Sequence, residues 1–541
     1  MGAYLNSQTP YTLYQSESRS PYFVDKTMLL QELFPYVAAG NRHLCVTRPR
    51  RFGKTIAANM ISSFFQKGID SGELFDRLKI SEADDCQKYK NKYNVIRIDF
   101  SKMPRNCESY RQYIERVEEL LISDLREAYP DAKTSETDAI GDILEEIFQQ
   151  YHGEKFIFVL DEWDFIFHRG FITEADKAKY VAFLSNLLKD RPYVILSYMT
   201  GILPIAKYSS GSELNMFAEF TMVNSPMFGT YFGFTDDEVD DLYERYCREC
   251  EKQRKIKNVT RKGLRDWYNG YYTKSGERVY NPRSVVFALQ FNNLANYWTS
   301  SGPYDEIYYY IRNNVSDVRD DLALMAAGES VSAKIQEYAA TSMNLSTRDE
   351  IYSAMVVYGF LSYLNGKVSI PNRELMEKFD ELLMKNESLG YVCRLAKESE
   401  KMLKATLAGD THTMEKILEL VHDTEVPLLS YNHETELSAI VNLVYLAARD
   451  SYRVEREDKA GVGYVDFIFY PYDLTADGII LELKVDHTPE EAIQQIKDRK
   501  YALKFVPRLA EQKKYTGKIL AVGIGYEKTE KKHRCRVESL N

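Results

Sequence analysis

A short apolar run followed by a glycine-lysine-threonine turn constrains this chain more than any other feature. Residues 44–46 (LCV) precede the sequence RPRRFGKT (48–55), and apolar residues recur behind it at helical spacing. A turn of this kind between a strand and a helix gathers backbone N–H groups at the helix N-terminus, where they bind phosphate oxygens. In such a loop Lys54 reaches the β- and γ-phosphates, and the Thr55 hydroxyl binds magnesium. The loop usually begins with glycine, and this chain has Arg48 there.

A second motif, KFIFVLDEWD (155–164), supports the same interpretation. Residues 156–160 form a continuous apolar run, which is typical of a strand buried on both faces of a parallel sheet. The strand ends in Asp161, which can hold magnesium, and Glu162, which can polarise an attacking water. The alternative is a buried strand capped by solvated acids. The glycine-lysine-threonine loop upstream favours a nucleotide site.

Composition limits the classes of protein that remain. The 541 residues predict several domains, and the net charge of −10, from 70 basic and 80 acidic residues, gives no global attraction to nucleic acid. No apolar run is long enough for a membrane span, and the N-terminus lacks a signal-peptide core. The 7 cysteines are scattered and odd in number, as expected in a reducing cytoplasm. The lone pair Cys247 and Cys250 has no second pair nearby, so zinc or redox chemistry is not predicted.

Strands alternate with helices over the N-terminal part, which predicts a doubly wound parallel sheet with its site at the carboxyl ends of the strands. Besides the two motifs, apolar strands are predicted at 93–100, 193–199 and 220–223. Thr200 follows the strand at 193–199. At that position a polar side chain can sense the γ-phosphate, and a simple turn explains the residue equally well.

From residue 226 the pattern becomes helical. Thr235 followed by Glu238 is a capping box that opens a helix. We interpret 226–300 as a helical lid on the N-terminal core (1–225) and 301–425 as a helical connector. Asn365-Gly366 predicts a short hairpin within the connector.

The last segment (426–541) returns to strands and forms an α/β unit. Asp466 falls in a strand at 463–470, and Glu482 and Lys484 lie on one face of the next strand, at 478–485. Two acids and a backbone carbonyl can bind a divalent ion, and a lysine beside them can position or deprotonate the attacking water. Gln495, on a helix predicted from 489 to about 503, can orient water or phosphate. An exposed strand can also carry Glu-x-Lys, but apolar neighbours surround this one, and a charge in a buried strand needs a reason.

Together these motifs resemble a prokaryotic family that joins an AAA-ATPase-like domain to a PD-(D/E)xK nuclease-like domain. The resemblance covers nearly the whole chain and rests on YFVDKT, RPRRFGKT, LDEWD, MTGI, FGFT, WYNGYY, YNPRSV, GYVD, ELK and QIKDRKY. It implies a P-loop NTPase core with a helical lid and connector, followed by an α/β restriction-endonuclease-like domain.

The resemblance also implies site residues. Arginine at position 48 is the usual form in this family, whereas Tyr464 stands where arginine is frequent. The cofactor-binding residues are Arg48, Arg51, Gly53, Lys54, Thr55, Asp161 and Thr200. The catalytic residues are Glu162, Asp466, Glu482, Lys484 and Gln495. The metal ligands are Thr55, Asp161, Asp466 and Glu482. Glu436, with Glu434 competing for the role, is a further candidate acid.

The function that follows is a cytoplasmic, ATP-dependent or ATP-regulated nuclease that acts on DNA. Its cofactors are ATP and Mg²⁺, with Mn²⁺ as a substitute at the nuclease site. Basic residues near that site can contact the DNA backbone or can be a solvated helix face: Lys497, Arg499, Lys500, Lys504, Lys513, Lys514 and Lys518. The alternative is a nucleotide-switched signalling or scaffold protein whose C-terminal domain binds without cutting. No membrane partner is predicted, and a homo-oligomer is compatible with the sequence.

Overall fold

The computed structural model divides into two compact units. The described residues are 2–135, 137–205, 213–298, 315–336, 345, 347–420, 434–460, 463–505 and 515–540. Unit 1 comprises Met1–Pro303, Ala333–Leu345 and Asp349–Glu374, and unit 2 comprises Tyr304–Ser332, Ser346–Arg348 and Leu375–Asn541. The boundaries between the units fall inside the segment predicted as a connector. The four-part division of the chain stays a prediction.

Unit 1 is built on a five-stranded sheet whose strands follow the order β2-β3-β4-β1-β5, with every pairing parallel. The strands are β1 Arg42–Thr47, β2 Asn94–Asp99, β3 Phe156–Asp161, β4 Val194–Gly201 and β5 Ala218–Phe220. Every residue of β3 is buried, as its continuous apolar run predicted. The predicted parallel sheet is confirmed.

Eight helices accompany the described part of this sheet region. They are α1 Gln8–Ser18, α2 Leu29–Ala39, α3 Lys54–Phe65, α4 Gly72–Phe75, α5 Cys86–Tyr89, α6 Tyr110–Ala128, α7 Ile140–Gln150 and α8 Glu174–Leu188, with 3-10 turns at Lys79–Glu82, Phe165–His168 and Gly229–Tyr231. α3 packs against β2, β3 and β4. Because α3 begins at Lys54, its N-terminus lies directly after the loop that leaves β1.

The rest of the chain is mostly helical before it returns to strands. Its helices are α9 Asp236–Gln253, α10 Arg261–Tyr268, α11 Pro282–Phe291, α12 Val315–Ala326, α13 Arg348–Tyr358, α14 Arg373–Lys385, α15 Tyr391–Lys397, α16 Ser399–Ala408, α17 Thr411–Glu419, α18 Glu434–Val444, α19 Ala448–Ser451 and α20 Pro489–Asp498. Short strands are β6 Tyr271–Tyr272, β7 Arg278–Val279, β8 Val331–Ser332, β9 Ser362–Leu364 and β10 Lys367–Ser369, and 3-10 turns span Glu387–Leu389 and Tyr501–Phe505. Among the described helices, none has the length and hydropathy that a membrane span requires.

The helical part of unit 1 has its own apolar core. The predicted capping box opens α9: the Thr235 hydroxyl accepts the Glu238 N–H, and the Glu238 carboxylate accepts the Thr235 N–H. α9, α10 and α11 bury a shared cluster that includes Val239, Leu242, Tyr246, Leu264, Tyr268, Val285 and Leu289. The predicted hairpin at Asn365-Gly366 also forms, between β9 and β10.

The helical part of unit 1 also buries a carboxylate, that of Glu374. Glu374 is 1% exposed. Its carboxylate accepts the Ser284 hydroxyl at 2.9 Å and the N–H groups of Tyr297 and Trp298 at 2.7 Å each. The YNPRSV sequence therefore serves the fold, because Asn281 caps α11 by accepting the Ser284 N–H, and the Ser284 hydroxyl holds this acid.

Unit 2 contains a second five-stranded sheet, in the order β11-β12-β13-β14-β15. The strands are β11 Tyr452–Ala460, β12 Gly463–Pro471, β13 Gly478–Val485, β14 Ile519–Glu527 and β15 Lys532–Ser539. β13 and β14 run parallel, and the other neighbours run antiparallel. α20 packs on β13 and β14, and it contributes Ile493 and Ile496 to the core of this sheet.

Two elements of unit 2 differ from the prediction. The helix predicted to reach about residue 503 ends at Asp498, and a 3-10 turn continues the chain. β15 was not predicted, because charged residues occupy its exposed positions and weaken the apolar pattern that identifies a strand. α17 packs on β15, where the Glu415 carboxylate accepts the Cys535 N–H at 2.9 Å.

Substitution of two glycines tests whether close packing in unit 1 fixes the WYNGYY segment. Gly270 has φ +113°, and a Cβ there would lie 1.8 Å from the Pro371 carbonyl oxygen, whereas Gly366 has φ +82° and open space around it. We expect Gly366→Ala to lower the free energy of unfolding by about 1 kcal/mol through backbone strain alone. Gly270→Ala should lower it by about 3 kcal/mol or more, since overpacking adds to strain. Tryptophan fluorescence during urea unfolding isolates unit 1, because Trp163, Trp267 and Trp298 all belong to it. Equal losses in the two variants would contradict this account.

Candidate functional site

The loop between β1 and α3 has the backbone of a phosphate-binding turn. Gly53 caps α3 with φ +89°, and Arg51 also adopts a left-handed conformation, at φ +70°. Lys54 is buried, and its Nζ donates to the carbonyl oxygens of Arg48 at 3.1 Å and Pro49 at 3.0 Å. The lysine is thus held by its own loop. It has to leave these carbonyls to reach a phosphate.

Carboxylates from the end of β3 surround this loop. Burial lowers the pKa of Lys54, and the carboxylates of Glu162, Asp164 and Asp161 oppose that effect. The Thr55 side chain lowers the pKa of Asp161, which is fully buried. The loop and the acidic strand therefore meet, as the two sequence motifs predicted.

The two acids at the end of β3 are held differently. Asp161 pairs through Oδ2 with Arg97 of β2, and its Oδ1 accepts the Glu162 N–H at 3.1 Å. Burial raises the pKa of Asp161, and the guanidinium opposes the rise. Glu162 has a left-handed backbone, at φ +51°, and burial raises its pKa to about 7. A carboxyl group that exchanges its proton near neutral pH suits a general base.

Arg48 contacts the backbone of its own unit. Its guanidinium donates to the carbonyl oxygens of Thr47, Phe220 and Phe228, at 2.7, 2.8 and 3.2 Å, and lies over the Phe232 ring. These carbonyls already hold the side chain. The guanidinium thus holds β5 and the segment after it, and its predicted contact with a cofactor stays a prediction.

Thr200 lies between the two motifs. It pairs in register with Asp161 on β3 and with Val46 on β1, and its hydroxyl donates to the Val46 carbonyl oxygen at 2.8 Å. The side chain is fully buried. Its role as a γ-phosphate sensor stays a prediction, as does the contribution of the Arg51 side chain.

Asp164, the last acid of LDEWD, was missed in the sequence. It is 1% exposed, and its Oδ2 accepts the N–H groups of Ile202 at 3.0 Å and Leu203 at 2.7 Å. Within the described residues its Oδ1 has no hydrogen-bond partner. The sequence signal for Asp164 was a second aspartate three residues after Asp161. Asp164 fixes the chain where it leaves β4, next to Thr200.

The second candidate site lies on β12, β13 and α20 of unit 2. The Asp466 carboxylate accepts the Leu483 N–H at 2.7 Å, which places it beside the backbone of Glu482. Glu482 is 3% exposed. Its Oε1 accepts hydrogen bonds from Lys484, at 3.3 Å, and from the Gln495 amide. All four predicted residues are therefore brought together.

The electrostatics of Glu482 fit a divalent metal. Burial and the Asp466 carboxylate together raise its pKa to about 7, against the lowering effect of Lys484. Its Oε2 is buried and has no hydrogen-bond partner in the described part of the chain. Two acids with a free buried oxygen and an adjacent backbone match the oxygen ligands that Mg²⁺ and Mn²⁺ prefer. No group of three or more His, Cys, Asp and Glu side chains suited to a metal occurs among the residues described.

A glycine that was not singled out in the sequence lets α20 approach this site. Gly523 pairs in register with Glu482, and a Cβ there would lie 2.2 Å from the Pro489 carbonyl oxygen. The absence of a side chain allows the helix to pack on the strand. Gln495 consequently reaches Glu482. The register between β13 and β14 places Gly523 beside Glu482. The sequence of one strand alone does not reveal this register.

Several predicted residues lie outside the description or in other contacts. The side chains of Glu434, Glu436, Tyr464 and Lys504 lie outside the described part, as do residues Lys513 and Lys514. Lys497 forms an ion pair with Glu538 at 2.6 Å. Arg499, Lys500 and Lys518 are exposed.

Comparisons with known proteins identify both domains. Residues 14–210 match the family model described as a predicted AAA-ATPase, and residues 435–532 match the PD-(D/E)XK nuclease superfamily. The chain is 23% identical over 290 residues to an uncharacterised protein in the vnfD 5′ region of Azotobacter chroococcum mcd 1. That match covers 52% of this chain, which spans about half (51%) of the relative's length. The resemblance to an ATPase joined to a nuclease-superfamily domain is confirmed.

Solved structures give weaker similarities. The Walker-type ATPase paby2304 of Pyrococcus abyssi aligns with a TM-score of 0.34 and 9% identity, covering 65% of this chain and 94% of that one. The ORC2 protein of Aeropyrum pernix, in ADPNP–ADP complexes, aligns with a TM-score of 0.33 and 12% identity, covering 66% and 92%.

Metal binding in unit 2 should compete with protonation of Glu482. With a pKa of about 7, this carboxyl is protonated below neutral pH, so metal affinity should fall roughly tenfold per pH unit below 7 and level off above it. Calorimetric titration with Mn²⁺ at pH 6, 7 and 8, in buffers of different ionisation enthalpy, measures both affinity and proton release.

The titration is made in an Asp161→Asn background, so that the acidic end of β3 does not contribute. Glu482→Gln in the same background is the control, and it should bind weakly without releasing a proton. Affinity that is constant from pH 6 to pH 8 would contradict the assignment.

Proposed function

We propose that this chain is an ATP-dependent or ATP-regulated nuclease that hydrolyses the phosphodiester bonds of DNA with a divalent metal. The observation that carries the proposal is Glu482, a buried carboxylate with one oxygen free of hydrogen bonds among the described residues. Such a group is costly to bury unless a proton or a metal neutralises it. Asp466, Lys484 and Gln495 supply the other parts that metal-assisted hydrolysis needs.

In unit 1, Lys54, Thr55, Asp161 and Glu162 fit the binding and hydrolysis of ATP with Mg²⁺. Bound magnesium would neutralise charge on the β- and γ-phosphates. Thr55 and Asp161 would hold it, since the Thr55 side chain lies close enough to Asp161 to lower the pKa of that carboxyl. Lys54 would exchange the loop carbonyls for phosphate oxygens. Glu162, whose pKa is about 7, would accept a proton from the attacking water.

In unit 2, Asp466 and Glu482 would hold Mg²⁺ or Mn²⁺, which supplies a polarised phosphate and an activated water. Lys484 lies 3.3 Å from Glu482 and would position that water against the phosphorus. Gln495 orients the Glu482 carboxylate through a hydrogen bond. The exposed Arg499 and Lys500, at the end of α20, would contact the DNA backbone.

Two variants separate nucleotide binding from hydrolysis. Lys54→Ala should weaken ATP binding by about 100-fold, because a charged donor to the phosphates is lost. Glu162→Gln should bind ATP normally but hydrolyse it about 10²–10⁴-fold more slowly, since the general base is removed. Calorimetry measures the binding and phosphate release measures the hydrolysis. Lys67→Ala, at an exposed ion pair with Glu154, is the control. An ATP affinity in the Lys54 variant equal to that of the parent would contradict the assignment of the nucleotide site.

A second set of variants tests the nuclease. Asp466→Ala and Glu482→Ala should abolish cleavage even at raised Mg²⁺. Lys484→Ala should keep metal binding and lose most turnover, because the attacking water is no longer positioned. Linear, circular and single-stranded DNA with Mg²⁺ or Mn²⁺ are the substrates. Lys528→Ala, whose lysine pairs with Asp486 on the surface, is the matched control. If all three site variants cut like the parent, the activity belongs to another protein.

The same assay tests regulation. Glu162→Gln trapped with ATP should change the cleavage rate by about 5–150-fold, the range of typical coupling energies. Identical rates without nucleotide, with ADP and with trapped ATP would mean that ATP does not regulate cleavage. DNA binding without cleavage under every condition would favour the signalling or scaffold alternative.

A further inference from the structure

An arginine in the middle of a buried strand lies next to the proposed magnesium ligand of unit 1. Arg97 belongs to β2, whose sequence NVIRID is otherwise mostly apolar, and the side chain is only 7% exposed. β2 pairs in parallel with β3, so that Asp99 lies beside Asp161 and Arg97 lies beside Val159. The guanidinium reaches past Ile98 to the end of β3.

The guanidinium is fixed by contacts on two sides. Nη2 lies 2.8 Å from Asp161 Oδ2, and Nη1 donates to the Ile98 carbonyl oxygen at 2.8 Å. Asn59 of α3 supplies a weaker third contact, at 3.5 Å from Nη2. Two donors of the planar group are thus directed at fixed acceptors, which sets the plane and the position of the guanidinium.

The carboxylate is fixed by the same arrangement. Arg97 occupies Oδ2, and the Glu162 N–H occupies Oδ1 from the backbone side. The Thr55 side chain, from the start of α3, lies close enough to lower the pKa of this carboxyl. Asp161 therefore cannot rotate about its last torsion without breaking its contacts to β2 and to its own backbone.

Stability alone does not account for this pair. A buried ion pair is often no more stabilising than apolar residues of similar volume. The third guanidinium nitrogen, Nε, is buried and has no hydrogen-bond partner among the described residues. Its lost hydrogen bond makes the pair still less favourable for folding. A role at the site gives a reason for a charge at this place.

We infer that Arg97 is a positioning residue that orients the Asp161 carboxylate for magnesium. The inference rests on the proposed nucleotide site. Because a fixed cation already occupies Oδ2, the carboxylate offers the metal one defined direction, beside Thr55. Residues that hold a metal ligand in this way typically change metal affinity or activity by about 10–100-fold when they are replaced.

The test is the Mg²⁺ dependence of nucleotide binding and hydrolysis in the full chain. Arg97→Met should raise the Mg²⁺ concentration needed for half-maximal ATP hydrolysis by about 10–100-fold. Binding of a fluorescent ATP analogue in EDTA should stay at the parental level, because Lys54 and the loop are unchanged. A purely structural role would weaken binding of the analogue in EDTA as well, and that result would overturn the inference.

Two further variants complete the experiment. Arg97→Lys keeps the buried charge but loses the planar group that donates in two directions, and it should raise the Mg²⁺ requirement by about tenfold. This variant replaces Arg97→Met if that one does not fold. Arg261→Met, which removes an arginine that holds Asp236 and Asp240 elsewhere in unit 1, should leave the Mg²⁺ requirement unchanged.

The outcomes are distinguishable. A Mg²⁺ requirement that is unchanged or lowered in the Arg97 variants, while the parent binds ATP and responds to Mg²⁺, overturns the inference alone. A parent that binds no nucleotide overturns the proposed function of unit 1 and the inference with it.

Discussion

Carboxylates buried at apolar strands are the constraint on which the rest of each unit depends. Asp161 ends β3 and is fully buried, and Glu482 lies within β13 and is 3% exposed. An ionised carboxylate without partners in such surroundings destabilises the fold by several kcal/mol, so each must meet a cation, a hydrogen-bond donor or a metal. This requirement explains which elements lie next to these strands. β2 brings a guanidinium to β3, and α20 brings an amide to β13.

Strands with uniform burial could be predicted from the sequence, and strands with mixed burial could not. β3 and β13 are apolar runs, and their ends agree closely with the prediction. β15 has the burial pattern of an edge strand, with charged residues on its exposed face, so its sequence (KHRCRVES) gives no clear apolar run. Helix starts were predictable where a cap is encoded locally, as at Thr235, because a hydroxyl three residues before an acid carries the geometry in itself.

The candidate sites divide in the same way. Glu482 and Lys484 were found because their spacing of two residues already places them on one face of a strand. Asp161 and Glu162 were found because they end a continuous apolar run. Arg97 was overlooked, although a charge inside the buried strand NVIRID is the kind of signal that identified Glu482. Gly523 could not have been found, since its importance depends on register with another strand. For Arg48 the fold adds contacts that the sequence does not show. Its position in the loop suggested a phosphate contact, and only the fold reveals the backbone carbonyls that it holds.

The buried carboxylates of the two sites are neutralised by different groups. This difference determines what orients each carboxylate. In unit 1 the partner of Asp161 is the Arg97 guanidinium, a charged group that belongs to the protein itself. Its charge is present whether or not a metal is bound. In unit 2 the partners of Glu482 are Lys484 and Gln495, and both contact the same oxygen. The other oxygen is left to a proton or a metal, which agrees with a pKa of about 7. The acid of unit 1 is therefore oriented by the protein alone, whereas the acid of unit 2 depends on what the solution supplies.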